Sequence, residues 1–482
     1  MSILGELKPA DVFRYFEALT QIPRESGNEQ AVSDYLVSFA TEHQLEVIQE
    51  PCLNVIIKKP ATKGYEQAPG VILQGHMDMV CVKEDELVFD FQTQPIPIKV
   101  EGDNIKTEGT TLGADNGIAV AMAMAILADQ TLEHPALTVL VTTEEETGMD
   151  GVMALEPAHV EGQILINLDS EEEGVALVSC AGGVRNELTL PLVWEEATQD
   201  TFVDVIISGL KGGHSGVEID KNRANAIKLL GRLLVETTQS SAVKVAHVSG
   251  GEKMNAISKR AVTTLNVASD QLEALKEQVA KLEAIFKNEF SIAEPTLSLT
   301  VVEAKKTTHV LDDVTTKALV SMLTLVPFGP QTMSEGMKGL VESSINPGVL
   351  TLTDDVITLN CATRSSVASL KEEINKRLDV IANLVGATHE LIADYPEWQY
   401  VEVSPIRDLM QAVYLKTTGK ELEISAIHAG LECGFISEKL GAIDMISIGP
   451  NMQHVHTPKE MLSISSTARV YEFLCTVLKE IK

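Results

Sequence analysis

Side chains that can bind metals or transfer protons are concentrated in five short segments of this chain. In the first, His76 and Asp78 stand two residues apart, directly after the apolar run GVILQG. Residues i and i+2 of a strand point to the same side, so these two side chains could face one place together. The pair could hold a cation, or the carboxylate could satisfy a single structural histidine. These two residues alone do not distinguish the two cases.

The other four segments also lie at predicted strand ends or turns. Asp115 is in TLGADNG, just before a helix-like run of small residues, and three glutamates follow the strand-like ALTVLVTT. Asp169 is the first acid of INLDSEEEG, and HVHTP contains His454 and His456. Each segment by itself has an ordinary explanation, such as helix capping, turn chemistry or a solvated edge.

Together, the five segments favour metal binding. Strand ends on one rim of an α/β sheet converge in space, and several carboxylates cannot share a buried site without a compensating cation. Imidazole combined with carboxylate is a ligand set typical of zinc, and also of cobalt or manganese. Two histidines with several acids favour two metal ions over one.

The elements that must position these residues indicate an α/β catalytic domain. Short runs rich in β-branched residues (NVIIKK, GVILQG, ALTVLVTT and ILINLD) alternate with the helix-like segments SDYLVSFATEHQL and NGIAVAMAMAILAD. Such alternation predicts a mixed central sheet flanked by helices. In these sheets, ligands collect at the carboxyl ends of the strands.

The middle of the chain has a different pattern and contains a repeat. TLNVAS at 264–269 and TLNCAT at 358–363 each precede an amphipathic helix with a charged outer face, and a helix-like segment precedes each unit. We therefore predict a discontinuous catalytic domain at residues 1–186 and 396–482. An inserted α+β lid and dimerisation domain, made of two similar halves, would occupy residues 187–395.

Composition excludes several classes of partner. The chain has 482 residues and a net charge of −31, which opposes binding to nucleic acid or to an anionic membrane. No run approaches the ~18 apolar residues that a membrane span needs. The six cysteines are scattered without a C-x-x-C pair, which fits a reducing compartment. Because the N-terminus also lacks a secretory signal pattern, we expect a cytoplasmic protein.

Seven motifs resemble those of the co-catalytic zinc exopeptidases of the aminoacylase and carboxypeptidase type. These motifs are GHMDMV, TTLGADNGIA, EETGMDG, LINLDSEEEG, GLKGGHSG, HAGLECG and HTP. The resemblance covers essentially the whole chain. It implies a metal-dependent dipeptidase that hydrolyses unblocked dipeptides, including Xaa-His dipeptides.

The resemblance also implies a ligand set for two zinc ions, with cobalt or manganese as other options. The ligands would be His76, Asp115 and Asp169 for one ion, and Asp115, Glu146 and His456 for the other. Asp115 would then bridge the ions. Asp78 would orient the ring of His76 and raise its basicity, and Glu145 would be the general base.

Two places in these motifs leave a choice of residue. Counting back from Gly148 selects Glu145 and Glu146 and leaves Glu144 outside. Neighbouring residues of a strand point to opposite sides, so a base and a ligand at adjacent positions require the strand to end there. At the C-terminus, the His-Thr-Pro match favours His456 over His454.

For the inserted domain, the resemblance implies roles in substrate binding and in dimer formation. His214 would stabilise the oxyanion in the partner subunit's active site of a homodimer, and Asn255, Arg364 and Gly430 would hold the substrate. Arginine suits this task because it can bind a free carboxylate with two parallel hydrogen bonds. The residues themselves leave two alternatives open, a flexible turn at His214 and a salt bridge at Arg364, of which the salt bridge is the less favoured reading of Arg364.

Two other functions remain open at this stage. The same scaffold and metals could serve an N-acyl amino acid amidohydrolase, which would prefer acylated substrates. A non-catalytic metal-binding protein is the other alternative. Glu145 argues against it, because this acid has no structural task if Glu146 is the ligand.

Overall fold

The chain divides into two units in a computed structural model that describes residues 2–240, 243–441 and 443–482. Unit 1 comprises Met1–Ser179, Tyr400–Ala426 and Leu431–Lys482. Unit 2 comprises Cys180–Gln399 and Ile427–Gly430. The first unit is therefore discontinuous in sequence.

Helices and strands alternate through most of the described residues. The helices are α1 (Ala10–Thr20), α2 (Gln30–Glu42), α3 (Ala114–Ala128), α4 (Asp150–Ala154), α5 (Ala226–Ser240), α6 (Leu272–Glu289), α7 (Asp313–Leu325), α8 (Ala368–Val385), α9 (Pro405–Thr418), α10 (Glu432–Leu440) and α11 (Ile464–Glu480). The strands are β1 (Glu46–Gln49), β2 (Val55–Lys59), β3 (Val71–His76), β4 (Lys99–Glu101), β5 (Asn104–Lys106), β6 (Leu137–Thr142), β7 (Ile164–Asn167), β8 (Val175–Cys180), β9 (Gly182–Pro191), β10 (Trp194–Glu196), β11 (Thr201–Ser208), β12 (Lys244–Gly250), β13 (Ala261–Val267), β14 (Ser298–Glu303), β15 (His309–Leu311), β16 (Gly329–Met333), β17 (Val341–Leu352), β18 (Val356–Ser365), β19 (Thr388–Tyr395), β20 (Glu423–Ile427), β21 (Asp444–Ser447), β22 (Met452–Gln453) and β23 (Met461–Ser463).

Unit 1 is built on an eight-stranded mixed sheet with the order β1-β2-β6-β3-β7-β21-β8-β20. The central pairs β6-β3, β3-β7 and β7-β21 are parallel, whereas β1-β2, β2-β6 and β21-β8 are antiparallel. Every residue of β3, β6 and β7 is buried, as expected for central strands covered on both faces. Helix α3 packs against β3 and α9 against β21. The predicted mixed sheet flanked by helices is confirmed.

Unit 2 contains an antiparallel sheet made of two halves with the same topology. The sheet order is β14-β11-β13-β12-β17-β18-β9-β19, and β16 pairs with β17. One half follows the chain as β11, α5, β12, β13, α6, β14, and the other as β9, α7, β17, β18, α8, β19. If the four strands of each half are numbered along the chain, both halves have the sheet order fourth, first, third, second. The halves meet where Gly250 of β12 pairs with Leu350 of β17.

The sequence repeat corresponds to this structural repeat. TLNVAS overlaps β13 and TLNCAT lies in β18, which are the third strands of the two halves. A long helix follows each of them and packs on its own half of the sheet, α6 against β14 and α8 against β9.

Among the described residues, we find no helix with the length and apolar character that crossing a bilayer requires.

Candidate active site

Three neighbouring strands of unit 1 deliver acidic and histidine side chains to one edge of the sheet. His76 is the last residue of β3, Glu146 follows the end of β6, and Asp169 follows the end of β7. Because β6, β3 and β7 are adjacent and parallel, their carboxyl ends lie together. Asp115 joins them from the first turn of α3.

Asp115 presents its two carboxylate oxygens to two different histidines. Its Oδ1 lies 3.2 Å from Nε2 of His76, which is also 3.6 Å from Oδ1 of Asp169. Its Oδ2 lies 3.0 Å from Nε2 of His456, and that nitrogen is also 3.0 Å from Oε2 of Glu146. The five residues therefore form two groups, each with one histidine and one further acid, joined by Asp115.

The carboxylates of this cluster are strongly perturbed by burial and by one another. Burial raises the pKa of Asp169 to about 8, against the opposing influence of His76. Burial also raises the pKa of Glu145 well above its ordinary value, and the charges of Asp169 and Glu146 act in the same direction. Burial therefore disfavours the charged forms of Asp169 and Glu145, and a nearby cation would favour them.

The pKa values of the two histidines are also raised, in their case by the neighbouring carboxylates. Burial alone would lower the pKa of His76, but the charge of Asp169 and hydrogen bonds with neighbouring carboxylates raise it well above the usual range. Hydrogen bonds with Asp115 and Glu146 raise the pKa of His456 to about 11. Both rings therefore lie in a field that attracts positive charge.

These residues fit a divalent metal. Ligand atoms of His76, Asp115 and Glu146 lie within 4.8 Å of one another. Imidazole nitrogen and carboxylate oxygen are the donors that zinc prefers, and a cation would relieve the repulsion among the buried acids.

The chain leaves β6 before the glutamates, so two adjacent acids can serve one site. β6 ends at Thr142, and Glu144 adopts a left-handed backbone with φ of 53°. The backbone amides of Glu145 and Glu146 then both donate to Asp78, each over 3.2 Å. Glu144 instead forms a hydrogen bond with Asp150, which is the main cause of its raised pKa.

Asp78 holds the histidine and the acid pair at the same time. Its Oδ1 lies 3.2 Å from Nδ1 of His76, and its Oδ2 accepts a 2.7 Å hydrogen bond from Ser26. The strand ends at His76, so Asp78 reaches the ring from the following loop and not from the same strand. The side chain of Asp78 is fully buried.

Arg24, which was not predicted from any motif, holds the loops that carry Asp78 and Asp115. Its buried guanidinium donates to the backbone carbonyls of Met77, over 2.8 Å, and Asp78, over 3.1 Å, and to that of Gly113. Gly113 has a φ of 70°, and a Cβ atom there would lie 2.5 Å from Nη2 of Arg24. Glycine at this position therefore allows the left-handed backbone of the turn and leaves space for the Arg24 side chain.

Glu460 was also missed, although it stands next to the HTP motif. Its carboxylate accepts hydrogen bonds from four successive backbone amides, those of Leu112, Gly113, Ala114 and Asp115, at 2.7, 3.1, 2.8 and 3.3 Å. The side chain is only 2% exposed. It therefore fixes the backbone that presents Asp115, from the same loop that carries His456.

A second unpredicted acid, Glu432, lies behind the strand ends. Its Oε2 accepts from Gln74 over 2.6 Å and from Thr142 over 2.7 Å, so it connects β3 to β6. Burial raises its pKa to about 7. Its Oε1 has no hydrogen-bond partner among the described residues. Glu432 lies in the HAGLECG motif, in which only Gly430 was predicted to be a site residue.

Four of the predicted site residues belong to unit 2. His214 is half-buried, and its Nδ1 accepts from the amides of Gly216 and Val217, both over 3.2 Å. Asn255 is exposed, and its carbonyl accepts from Ser215 over 2.9 Å. The remaining two are Arg364 and Gly430, which both contact Tyr395.

Of the two C-terminal histidines, His454 is exposed, and its carbonyl oxygen accepts a hydrogen bond from Thr457 over 2.7 Å. It has no ion pair with an acid among the described residues, in contrast to His456.

Comparison with known proteins agrees with this geometry. Residues 72–480 match Peptidase family M20/M25/M40. The chain belongs to this family. It is therefore a peptidase, a hydrolase of peptide bonds, and the resemblance inferred from the seven motifs is confirmed at the level of the family.

Two M20 relatives match over nearly the full length. The cytosol non-specific dipeptidase of Escherichia coli (strain K12) is 38% identical, with 100% of this chain and 99% of the relative covered. The crystal structure of the aminoacylhistidine dipeptidase from Vibrio alginolyticus is 34% identical and superposes with a TM-score of 0.96, covering 99% of this chain and 98% of that one. The aminopeptidase PepT from Bacillus cereus, at 15% identity and a TM-score of 0.56, shares the fold alone.

Proposed function

We propose that this chain is a metal-dependent dipeptidase that hydrolyses unblocked dipeptides, including Xaa-His dipeptides. The main support is the pair of histidine and carboxylate groups joined by Asp115. The names of the two full-length M20 relatives, a cytosol non-specific dipeptidase and an aminoacylhistidine dipeptidase, agree with it. The first of these names also supports a cytoplasmic location.

The proposal assigns two metal ions to the Asp115 cluster. The ligands would be His76, Asp115 and Asp169 for one, and Asp115, Glu146 and His456 for the other. When bound, the two ions would lower the pKa of a water molecule, so that it loses a proton near neutral pH and becomes a nucleophile toward the amide. Zinc is the proposed metal because of the mixed nitrogen and oxygen donors, with cobalt or manganese as replacements.

Glu145 would move the proton. It would take a proton from the attacking water and deliver it to the nitrogen of the leaving amine, so that the amide bond breaks and a free amine forms. Asp78 supports this role because it accepts from the amide of Glu145 and lies against the ring of His76. Asp78 thus holds both the proposed general base, Glu145, and the proposed metal ligand His76.

Unit 2 would provide substrate recognition. His214 would donate from Nε2 to the developing oxyanion, because its Nδ1 already accepts two backbone amides. Arg364 would bind the free carboxylate of the dipeptide. Asn255 remains a proposed substrate contact. The homodimer expected from the resemblance stays a prediction.

Substrate comparison tests the proposed function. The purified protein is assayed with Ala-His, with Gly-Gly and with N-acetyl amino acids, before and after chelation and after zinc is restored. We expect hydrolysis of the two dipeptides, loss of activity with the chelator and recovery with zinc. Preference for the N-acetyl substrates would indicate the amidohydrolase alternative. Zinc binding without hydrolysis of any of them would indicate a non-catalytic metal-binding protein.

A further inference from the structure

Four residues of unit 2 form one row across its sheet. Ser344 on β17 pairs with Arg364 on β18, Arg364 pairs with Gly183 on β9, and Gly183 pairs with Tyr395 on β19. Residues directly opposite each other on neighbouring strands share a face of the sheet. The side chains of Arg364 and Tyr395 therefore lie on one face with a glycine between them.

The glycine allows the arginine and the tyrosine to meet. Their strands are two positions apart in the sheet, roughly 9–10 Å, which is within reach of two long side chains. Nη1 of Arg364 donates a 2.8 Å hydrogen bond to the hydroxyl of Tyr395. A Cβ atom on Gly183 would overlap that hydroxyl. Any larger residue at position 183 would thus displace the tyrosine from the arginine.

Gly430 makes room for the same ring. A Cβ atom there would lie 2.9 Å from Cε2 of Tyr395, closer than side chains pack. Neither Gly183 nor Gly430 has a positive φ, so their backbone conformation does not require glycine. The requirement is steric. It comes from Tyr395 at both positions.

Arg364 has hydrogen-bonding capacity left for an anion. Its Nε is buried and has no hydrogen-bond partner among the described residues. No aspartate or glutamate of the described residues forms an ion pair with the Arg364 guanidinium. Nearby, the ring of His428 bonds to Ser344 over 2.7 Å, and its pKa is lowered to about 4 by burial and by the charge of Arg364. This histidine is therefore neutral at physiological pH and does not compete with the arginine for an anion. The guanidinium is half-buried and donates to Tyr395, so an anionic ligand would supply the charged partner that the described residues do not.

We propose that Tyr395 is a positioning residue that fixes the Arg364 guanidinium for the free carboxylate of the substrate. Gly183 and Gly430 are then needed because they leave space for the Tyr395 ring. This inference rests on the proposed function, since a dipeptide supplies the carboxylate. It gives Gly430 a role through Tyr395 in place of direct contact with the substrate.

The Tyr395→Phe variant tests the role of the hydroxyl. Steady-state kinetics are measured with Ala-His and with the same dipeptide as its C-terminal amide. We expect KM for Ala-His to rise about tenfold, with kcat and bound metal little changed, because one hydrogen bond that orients a charged group is lost. The preference for the acid over the amide should fall by the same factor. Tyr414→Phe on α9 is the matched control and should change neither value.

Unchanged KM and unchanged preference for the acid in Tyr395→Phe would overturn the inference. Calorimetric binding of the two ligands to the zinc-loaded Glu145→Gln variant, with and without Tyr395→Phe, provides the same comparison with the proposed general base removed. If the wild-type chain hydrolysed no dipeptide, the proposed function would fail on that result. The inference would still be decided by whether Tyr395→Phe weakens binding of the acid and leaves binding of the amide unchanged.

A double-mutant cycle tests the role of Gly430. Gly430→Ala is measured in the wild-type chain and in the Tyr395→Ala variant. If the glycine acts by making room for the ring, its substitution raises KM in the first background and has no further effect in the second. Equal effects in both backgrounds would overturn this part and assign Gly430 to the substrate. If Gly430→Ala fails to fold, the Tyr395→Phe comparison decides the proposal.

Discussion

Nε2 of His456 lies 3.0 Å from Oδ2 of Asp115, although 341 residues separate them in the chain. The other oxygen of Asp115 faces His76. One carboxylate thereby joins the N-terminal and the C-terminal parts of unit 1, with one imidazole beside each of its oxygens. Each imidazole is accompanied by a further acid. We therefore expect the two proposed metal ions to depend on different histidines.

Replacing His456 should remove one metal ion and leave the other. We expect His456→Ala to bind about one zinc per chain where the wild type binds two, because three protein ligands define each site. Metal analysis of the dialysed proteins measures this. His454→Ala is the matched control, since His454 is exposed and has no acidic partner among the described residues. Loss of zinc in the His454 variant would reverse the assignment.

Glu145 should be needed for turnover but not for metal. We expect Glu145→Gln to keep its metal while kcat falls by about 10²–10⁴, as is usual when a general base is removed. The neighbouring Glu144→Gln is the control, because Glu144 is hydrogen-bonded to Asp150. Parallel metal analysis separates the two roles. Full activity of Glu145→Gln would rule out the base, and loss of zinc would make Glu145 a ligand.

Asp78 should act on the site through its neighbours. Asp78→Asn replaces one acceptor oxygen by an amide that cannot accept from Glu145 or Glu146. We expect zinc affinity to fall by about 10–100-fold, as is typical of residues that orient a metal-binding histidine. Competition titration with a zinc-sensitive chelator measures the affinity. Ser26→Ala removes one hydrogen bond to Asp78 and should have a smaller effect. Wild-type affinity in Asp78→Asn would contradict the role.

Glu460 should be needed to hold Asp115 in place. Glu460→Gln leaves some of its four buried amides without an acceptor, at a cost of about 1–3 kcal/mol for each group. We expect both a lower melting temperature and weaker zinc binding. Glu50→Gln is the control, because Glu50 is also buried and accepts from Asn54 over 2.9 Å and Glu156 over 3.0 Å. That variant should lose stability alone; equal loss of zinc affinity in both would contradict the specific role of Glu460.

The sequence was sufficient to predict the strands of the catalytic sheet and the residues at their ends. Apolar runs such as GVILQG and ALTVLVTT became β3 and β6, because a strand covered on both faces is mostly apolar along its length. Parallel strands that share a sheet end at the same edge. His76 and Glu146 could therefore be grouped before their distances were known.

Residues that act through the backbone could not be predicted in this way. Arg24 binds carbonyls and Glu460 binds amides in segments far away in sequence. Backbone groups are the same at every residue, so such contacts leave no periodic or compositional signal. The steric role of Gly430 could not be predicted either, because its spatial neighbour Tyr395 lies outside all seven motifs.

The sequence by itself determined the alternation of elements, the repeat within the inserted region and the set of acids and histidines available for chemistry. All of these depend on residue type and local spacing. Only the tertiary structure decided which oxygen of Asp115 faces which histidine, that the chain leaves β6 before Glu145, and that Tyr395 reaches Arg364 across Gly183. These relationships depend on strand order and on backbone dihedral angles, which the packing of the whole unit sets.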